Sequence, residues 1–320
     1  MNAQTSAASM ATAVPSHGPI RSARNAGPEW GPRFLVWSQR TWPRWIFRPA
    51  LMLGTWVALL NMSAQRRHSR AYLSIVLGRP ARLLDAWRHF FAFMDFLMLK
   101  LRTGAGAPLR CELAPENADA FETLLRSDEP ALFGSFHFGG CDLLGYLLGD
   151  RGKRVSILRL RVGNSEDTRL LGQRYGEKVS FLWVNDPANL LFDLKAALEA
   201  GQSLAMKCDR LEFSAKAEPF AFLGAQRLFP FTIYHLAVLF QKPVIFCLAI
   251  PARDEDGLRI HASTVFRPDP ARSRKENMQT ARAHFQTVLN QLETLVRQHP
   301  ELWFNFLPLN QAATSATPPA

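Results

Sequence analysis

The stretch that most constrains the fold is Pro130–Asp150, PALFGSFHFGGCDLLGYLLGD. Ala131–Phe136 is short and apolar, bounded by Pro130 and by Gly139-Gly140, which predicts a buried strand. His137–Cys141 is a glycine-rich turn, and Asp142–Leu148 is an apolar run with an acidic first residue, the start of a helix. His137 therefore falls at the carboxyl end of a strand, the edge at which open α/β sheets bind ligands.

Those residue types suit proton transfer. A neutral imidazole is a competent base near pH 7, best when a carboxylate fixes one ring nitrogen. A turn with two glycines is expected to fold Asp142 back onto His137. Gly139 and Gly140 would let an acyl chain or carbonyl approach the backbone. Turn N–H groups and the new helix N-terminus could hold an oxyanion. The plainer alternative is a loop histidine followed by a helix cap. A metal on His137, Cys141 and Asp142 is disfavoured, because no second His/Cys pair stands at ligand spacing. Ser135 as nucleophile is disfavoured too, because the G-x-S-x-G pattern is missing.

From Cys111 onward, strand and helix signals alternate. Strands are expected at Arg154–Leu160, Val179–Val184, Leu204–Cys208 and Pro243–Ile250, with Leu258–Val265 pairing back. Helices are expected at Asn164–Tyr175, Asn189–Ala200, Pro230–Phe240 and Asn277–Gln298, with a long loop from Asp209 to Gly224. The fold class is α/β, a mostly parallel central sheet flanked by helices, with an antiparallel edge. Asp209-Arg210 lies at a strand's carboxyl end, like His137. Arg210 either clamps a phosphate or carboxylate or forms a surface ion pair. The four cysteines are scattered without a disulfide framework, as in a cytosol-facing protein.

The N-terminal third differs. The chain's net charge is +11, yet residues 1–110 hold fifteen basic and three acidic residues, so all the excess lies there. Trp30, Trp37, Trp42, Trp45 and Trp56 interleave with Arg33, Arg40, Arg44 and Arg48. That mixture suits a lipid headgroup layer. Ala50–Met62 is apolar over 13 residues, short of the roughly 20 a span needs, with Arg48-Pro49 blocking extension backwards. The expectation is an interfacial helix; a buried amphipathic helix competes with it. The organisation expected is a disordered tail over 1–29, a helical membrane-interfacial segment over 30–103, the α/β domain over 104–306 and a flexible tail over 307–320. No secretory signal is evident.

Together these pieces resemble a known family. His137-x4-Asp142 within GSFHFGGCD is similar to the signature of the lysophospholipid acyltransferase superfamily. Asn164 in RVGNSED, Asp209-Arg210 in KCDR, Phe222-Leu223-Gly224 and Pro230 in FLGAQRLFP, and the terminal HPELWFNF resemble its lipid A late-acyltransferase branch. Many relatives on that branch carry Glu where this chain has Asp142. The resemblance runs from about Trp30 to Phe306 and implies acyl transfer from an acyl thioester, on acyl carrier protein or coenzyme A, to a hydroxyl or amine of a lipid or glycolipid. It implies His137 as base and Asp142 as its orienting acid. Gly139, Gly140, Asn164, Asp209, Arg210, Gly224 and Pro230 are implied at the substrate. No metal or resident cofactor is expected, and the place expected is the cytoplasmic face of the inner membrane, on an anionic surface. The alternative is a non-catalytic lipid-binding or scaffold protein on the same fold. Nucleic-acid binding is disfavoured, because no base-stacking or groove-reading motif is present.

Overall fold

The structure, a computed structural model, describes residues 30–161, 166–185, 189–211, 214, 216–252 and 257–310. Its centre is a seven-stranded sheet made of β1 (Arg110–Leu113), β2 (Leu132–Ser135), β3 (Val155–Arg159), β4 (Val179–Trp183), β5 (Ser203–Lys207), β8 (Val244–Pro251) and β9 (Gly257–Ala262), in the order β1-β9-β8-β2-β5-β3-β4. All neighbours run parallel except β8 and β9. The antiparallel pair is therefore not the edge. β1 lies outside β9 and parallel to it.

The register decides what meets at the carboxyl edge. Ser135 of β2 pairs with Lys207 of β5, and Leu132 on the other side of β2 pairs with Val244 of β8. Residues just past Ser135 and Lys207 thus emerge side by side. Successive β2 side chains alternate between two cores. Leu132 joins one that includes Phe246, Phe285 and Trp303; Phe133 joins the other, with Tyr146, Leu171 and Leu258. Both faces of β2 are covered, which is why it reads as a continuous apolar run.

The helices around it are α5 (Ala118–Arg126), α6 (Leu144–Asp150), α7 (Glu166–Tyr175), α8 (Leu190–Glu199), α9 (Thr232–Phe240) and α10 (Arg274–Gln298). A Ser273–Glu276 capping box starts α10. The region expected to be a loop contains a hairpin, β6 (Ala217–Phe222) with β7 (Ala225–Pro230). Its turn has Leu223 at φ 49° and Gly224 at φ 73°, two consecutive left-handed residues as a tight hairpin requires. Pro230 ends β7 rather than opening α9, which starts at Thr232.

Four helices precede the sheet: α1 (Trp30–Thr41), α2 (Arg44–Asn61), α3 (Ser63–Leu77) and α4 (Leu83–Gly104). Pro49 lies inside α2 and does not stop it, although it removes one backbone donor. Arg79 and the Arg82 N–H converge on Asp85, which caps α4. Tyr72, Leu73 and Val76 of α3 share the core of Phe136, Phe138 and Trp303, so α3 is built into the sheet domain. Among the described residues no single helix is long and apolar enough to cross a membrane. Trp45–Asn61 and Ser63–Leu77 reach that length and composition only as a pair, bent by 97°.

Candidate active site

His137 follows β2 and sits where β5 delivers Asp209. Its backbone N–H donates to Asp209 Oδ2 at 2.8 Å, and its Nδ1 lies 2.7 Å from Asp209 Oδ1. Trp303 Nε1 donates to the same Oδ2 at 3.0 Å. The Asp209 side chain is 3% exposed, and that of His137 is 21% exposed. Both carboxylate oxygens are thus occupied, and Nδ1 carries the hydrogen shared with Asp209. Nε2 keeps the lone pair.

The electrostatics agree with that tautomer. Burial pushes the His137 imidazole below its ordinary pKa, Asp209 pulls upward, and Lys207 and Arg210 push down. The ring is therefore neutral at pH 7. Burial raises Asp209, but the imidazole, the hydrogen bonds and Arg210 outweigh it and hold the carboxyl well below the usual carboxylate range.

Asp142 does not hold His137. Its Oδ2 accepts from Lys100 Nζ at 2.6 Å, and its Oδ1 pairs with Lys207 Nζ. Burial raises this carboxyl, but Lys100, Lys207 and Arg159 together keep it well below the usual range. The expectation of a folded-back Asp142 overlooked two nearer cations, one from α4 and one from β5. Asp142 instead sits in a short 3-10 turn, Cys141–Leu143, ahead of α6.

Packing requires glycine at both positions of the turn. Gly139 has φ 51°, and a Cβ there would stand 1.9 Å from the Ala249 carbonyl oxygen. A Cβ on Gly140 would meet Leu258 at 2.8 Å. The Gly139 N–H donates to Leu302 O, Gly140 N–H to Ala249 O and Cys141 N–H to Phe138 O. These turn amides are not available to an oxyanion, contrary to expectation. Positive side chains remain: Lys207 and Arg210 act on His137, and Lys100 and Arg159 act with Lys207 on Asp142.

Arg210 has no ion pair among the described residues and follows Asp209 directly. Asn164 lies outside the described residues. Gly224 and Pro230 belong to the hairpin, whose Leu223 N–H and Ala221 backbone bond to Glu293 and Gln286 of α10. Their link to the site is indirect, through Phe222 against the Trp303 ring at 5.2 Å.

Sequence reasoning missed Lys100, Lys207, Trp303 and His89. His89 on α4 is fully buried; its Nε2 donates to Trp303 O at 2.9 Å, so its Nδ1 accepts from Ser69 Oγ of α3 at 2.8 Å. Burial pushes it down to about 4, against the pull of the Trp303 carbonyl. Phe304 N–H donates to His137 O at 2.7 Å, and Phe306 stacks on His89 at 4.4 Å. The N-terminal helices are thereby wired to the His137 turn through residues 303–306.

A neutral imidazole with a carboxylate on Nδ1, among cations at the carboxyl edge of a parallel sheet, suits base-catalysed attack on an activated carbonyl. No curated protein matches the chain. Among solved structures it is similar to the 1-acyl-sn-glycerophosphate acyltransferase PlsC from Thermotoga maritima, at 12% identity over 78% of this chain and 98% of that one, with a TM-score of 0.35. The family model for bacterial lipid A biosynthesis acyltransferases matches residues 26–311, nearly the whole chain, and the protein belongs to that family.

Proposed function

We propose that this lipid acyltransferase moves a fatty acyl group from an acyl thioester, carried on acyl carrier protein or coenzyme A, to a hydroxyl or amine of a lipid or glycolipid. The observation that carries the reading is the 2.7 Å contact between His137 Nδ1 and Asp209. His137 Nε2 takes the acceptor's proton as the acceptor oxygen or nitrogen attacks the thioester carbonyl. The tetrahedral oxyanion forms in the field of Lys207 and Arg210. Collapse breaks the C–S bond, and the imidazolium returns the proton to the leaving thiolate. Asp209 stabilises the transient imidazolium. Asp142 acts as a positioning residue, holding Lys100 and Lys207. Arg210 suits the phosphate of the donor's pantetheine arm.

The chain works at a membrane surface in this reading. Trp45, Leu53, Val57 and Leu60 are 54–76% exposed and recur at helical spacing along α2, an unpartnered apolar stripe. Leu191 and Phe192, 53% and 72% exposed, open α8 just past the carboxyl end of β4. An anionic inner-membrane surface on the cytoplasmic side fits the basic N-terminal third.

The test is thiol release from acyl-CoA and acyl carrier protein thioesters by the full chain with a lipid acceptor. His137→Ala should lower the rate about 10²–10⁴-fold in a protein that still folds but melts earlier, because the buried Asp209 Oδ1 loses its partner. A folded His137→Ala protein at full activity would end the reading.

A further inference from the structure

α3 carries a second feature beside its buried face, which is formed by Ser69, Tyr72, Leu73 and Val76. Arg66, Arg70 and Ser74 recur at four-residue spacing along the flank of that face and turn toward solvent with Arg67 and Ala71. Arg66, Arg67, Arg70, Ala71, Ser74, Pro80 and Ala81 line an open cavity of about 250 Å³. The wall is pinned. Ala81 N–H donates to Ser74 Oγ at 2.9 Å, and Arg70 Nε donates to Ala81 O at 3.0 Å.

The three guanidinium groups have no carboxylate partner among the described residues. Arg66 donates to the carbonyls of Leu59 and Leu60, and Arg67 makes no hydrogen bond or ion pair with a described residue. Asp85, the acid that follows this loop, is taken by Arg79 and by the cap of α4. Arg48, elsewhere in the N-terminal third, pairs with the Asp95 carboxylate. Converging cations without a counter-charge repel one another, and an anion relieves that repulsion. The planar donor forks match phosphate oxygens.

The position selects the source of the phosphate. Arg66 is bonded to the last turn of α2, so the cavity adjoins Leu60, the end of the exposed apolar stripe. With that stripe in the interface, the cavity lies at headgroup depth. None of the residues in the Ser69–His89–Trp303–Asp209 chain of contacts lines it.

We propose that this cavity is a headgroup site for the phosphate of an anionic membrane phospholipid, tightest for a phosphomonoester because it carries the most charge. The inference rests on the membrane-surface reading above. The experiment is co-sedimentation of the full chain with phosphatidylcholine vesicles, with and without phosphatidic acid. Arg67→Gln should weaken binding to the phosphatidic acid vesicles about fivefold, and Arg67→Gln/Arg70→Gln about thirtyfold. The charge-matched control Arg274→Gln/Lys275→Gln, exposed at the start of α10, should change it less than twofold, by screening of distant charge. Arg67→Gln should melt like the wild type, since it loses no bond to a described residue. Added inorganic phosphate should not displace the protein. Equal losses in Arg67→Gln/Arg70→Gln and the control would reduce the effect to net charge and overturn the site. Full displacement by inorganic phosphate would make it a free-phosphate site. Weakened binding of acyl carrier protein with vesicle binding intact would assign it to that partner instead. A wild-type protein that ignores every vesicle defeats the membrane reading itself; one that binds vesicles with Arg67→Gln unchanged defeats this inference alone.

Discussion

Asp209→Asn is the substitution that most sharply separates this account from one built on Asp142. The carboxylate accepts three hydrogen bonds, two on Oδ2 from Trp303 Nε1 and His137 N–H, and one on Oδ1 facing His137 Nδ1. An asparagine that keeps its oxygen at the Oδ2 position retains the first two. Its amide then faces Nδ1 as a donor, so the ring must accept there and carry its hydrogen on Nε2. The base has lost its lone pair while the packing survives. The comparable change in a Ser-His-Asp triad costs about 10⁴-fold, and general-base loss spans about 10²–10⁴-fold. We expect kcat to fall about 10³–10⁴-fold in the thiol-release assay, with KM near the wild-type value because nothing that touches substrate is removed. Stability should fall by about 1–3 kcal/mol at pH 7, the loss of a buried charged acceptor. The folded-state pKa of Asp209 is depressed, so its stabilisation is present above the unfolded value and lost as pH falls. The stability gap between wild type and variant should therefore close below about pH 4. An Asp209→Asn enzyme with near-normal kcat, beside an Asp142→Asn enzyme with none, would refute the reasoning.

Three further outcomes follow from the same geometry. Asp142→Asn leaves Lys100 and Lys207 facing each other and should cost about 1–3 kcal/mol, less than a fully buried pair because Asp142 is 35% exposed; Lys100→Gln in the same chain should restore part of the melting temperature and of the rate, which an orienting carboxylate could not allow. His89, with its pKa lowered to about 4, should make stability rise with pH by up to about 1.4 kcal/mol per unit between about pH 4 and 6.5, since the unfolded chain binds its proton there and the folded one does not; His89→Gln should flatten melting temperature against pH over that window, and parallel curves would contradict the assignment. Gly139→Ala places a Cβ 1.9 Å from the Ala249 carbonyl at φ 51° and should destabilise the His137 turn, read as lost melting temperature, whereas Gly224→Ala, with open space around it, should show only backbone strain of about 1 kcal/mol.

The sequence made the sheet, the strand–turn–helix at His137 and the Asp209-Arg210 strand end legible, because apolar runs and glycine punctuation are local signals. It could not show that Asp209 serves His137. The two are separated by 72 positions, and only the pairing of β2 with β5 brings them together. Lys100 is hidden for the same reason, at the end of an apolar helix where a single lysine looks like a solvated tip. The β6–β7 hairpin was obscured by Pro219 within a strand and by Leu223 in a turn position that favours glycine or asparagine. The tryptophans proved mixed: Trp45 is 76% exposed, whereas Trp56 stacks on Trp87 at 5.6 Å. Composition reports their clustering and not their direction. Removing the helices through residue 70 to probe membrane binding would also take away Ser69, the partner of His89, so point substitutions are the cleaner probe.

The central claim is that His137 rests as a neutral base, with its hydrogen on Nδ1 toward Asp209 and its lone pair on Nε2 toward the substrate. Nitrogen-15 NMR of the His137 ring in the full-length enzyme at pH 7 reads this state directly. The account predicts a protonated Nδ1 and an unprotonated Nε2, with the pattern reversed in Asp209→Asn and preserved in Asp142→Asn. A doubly protonated ring at pH 7, or an Nε2–H tautomer in the wild type, would contradict it.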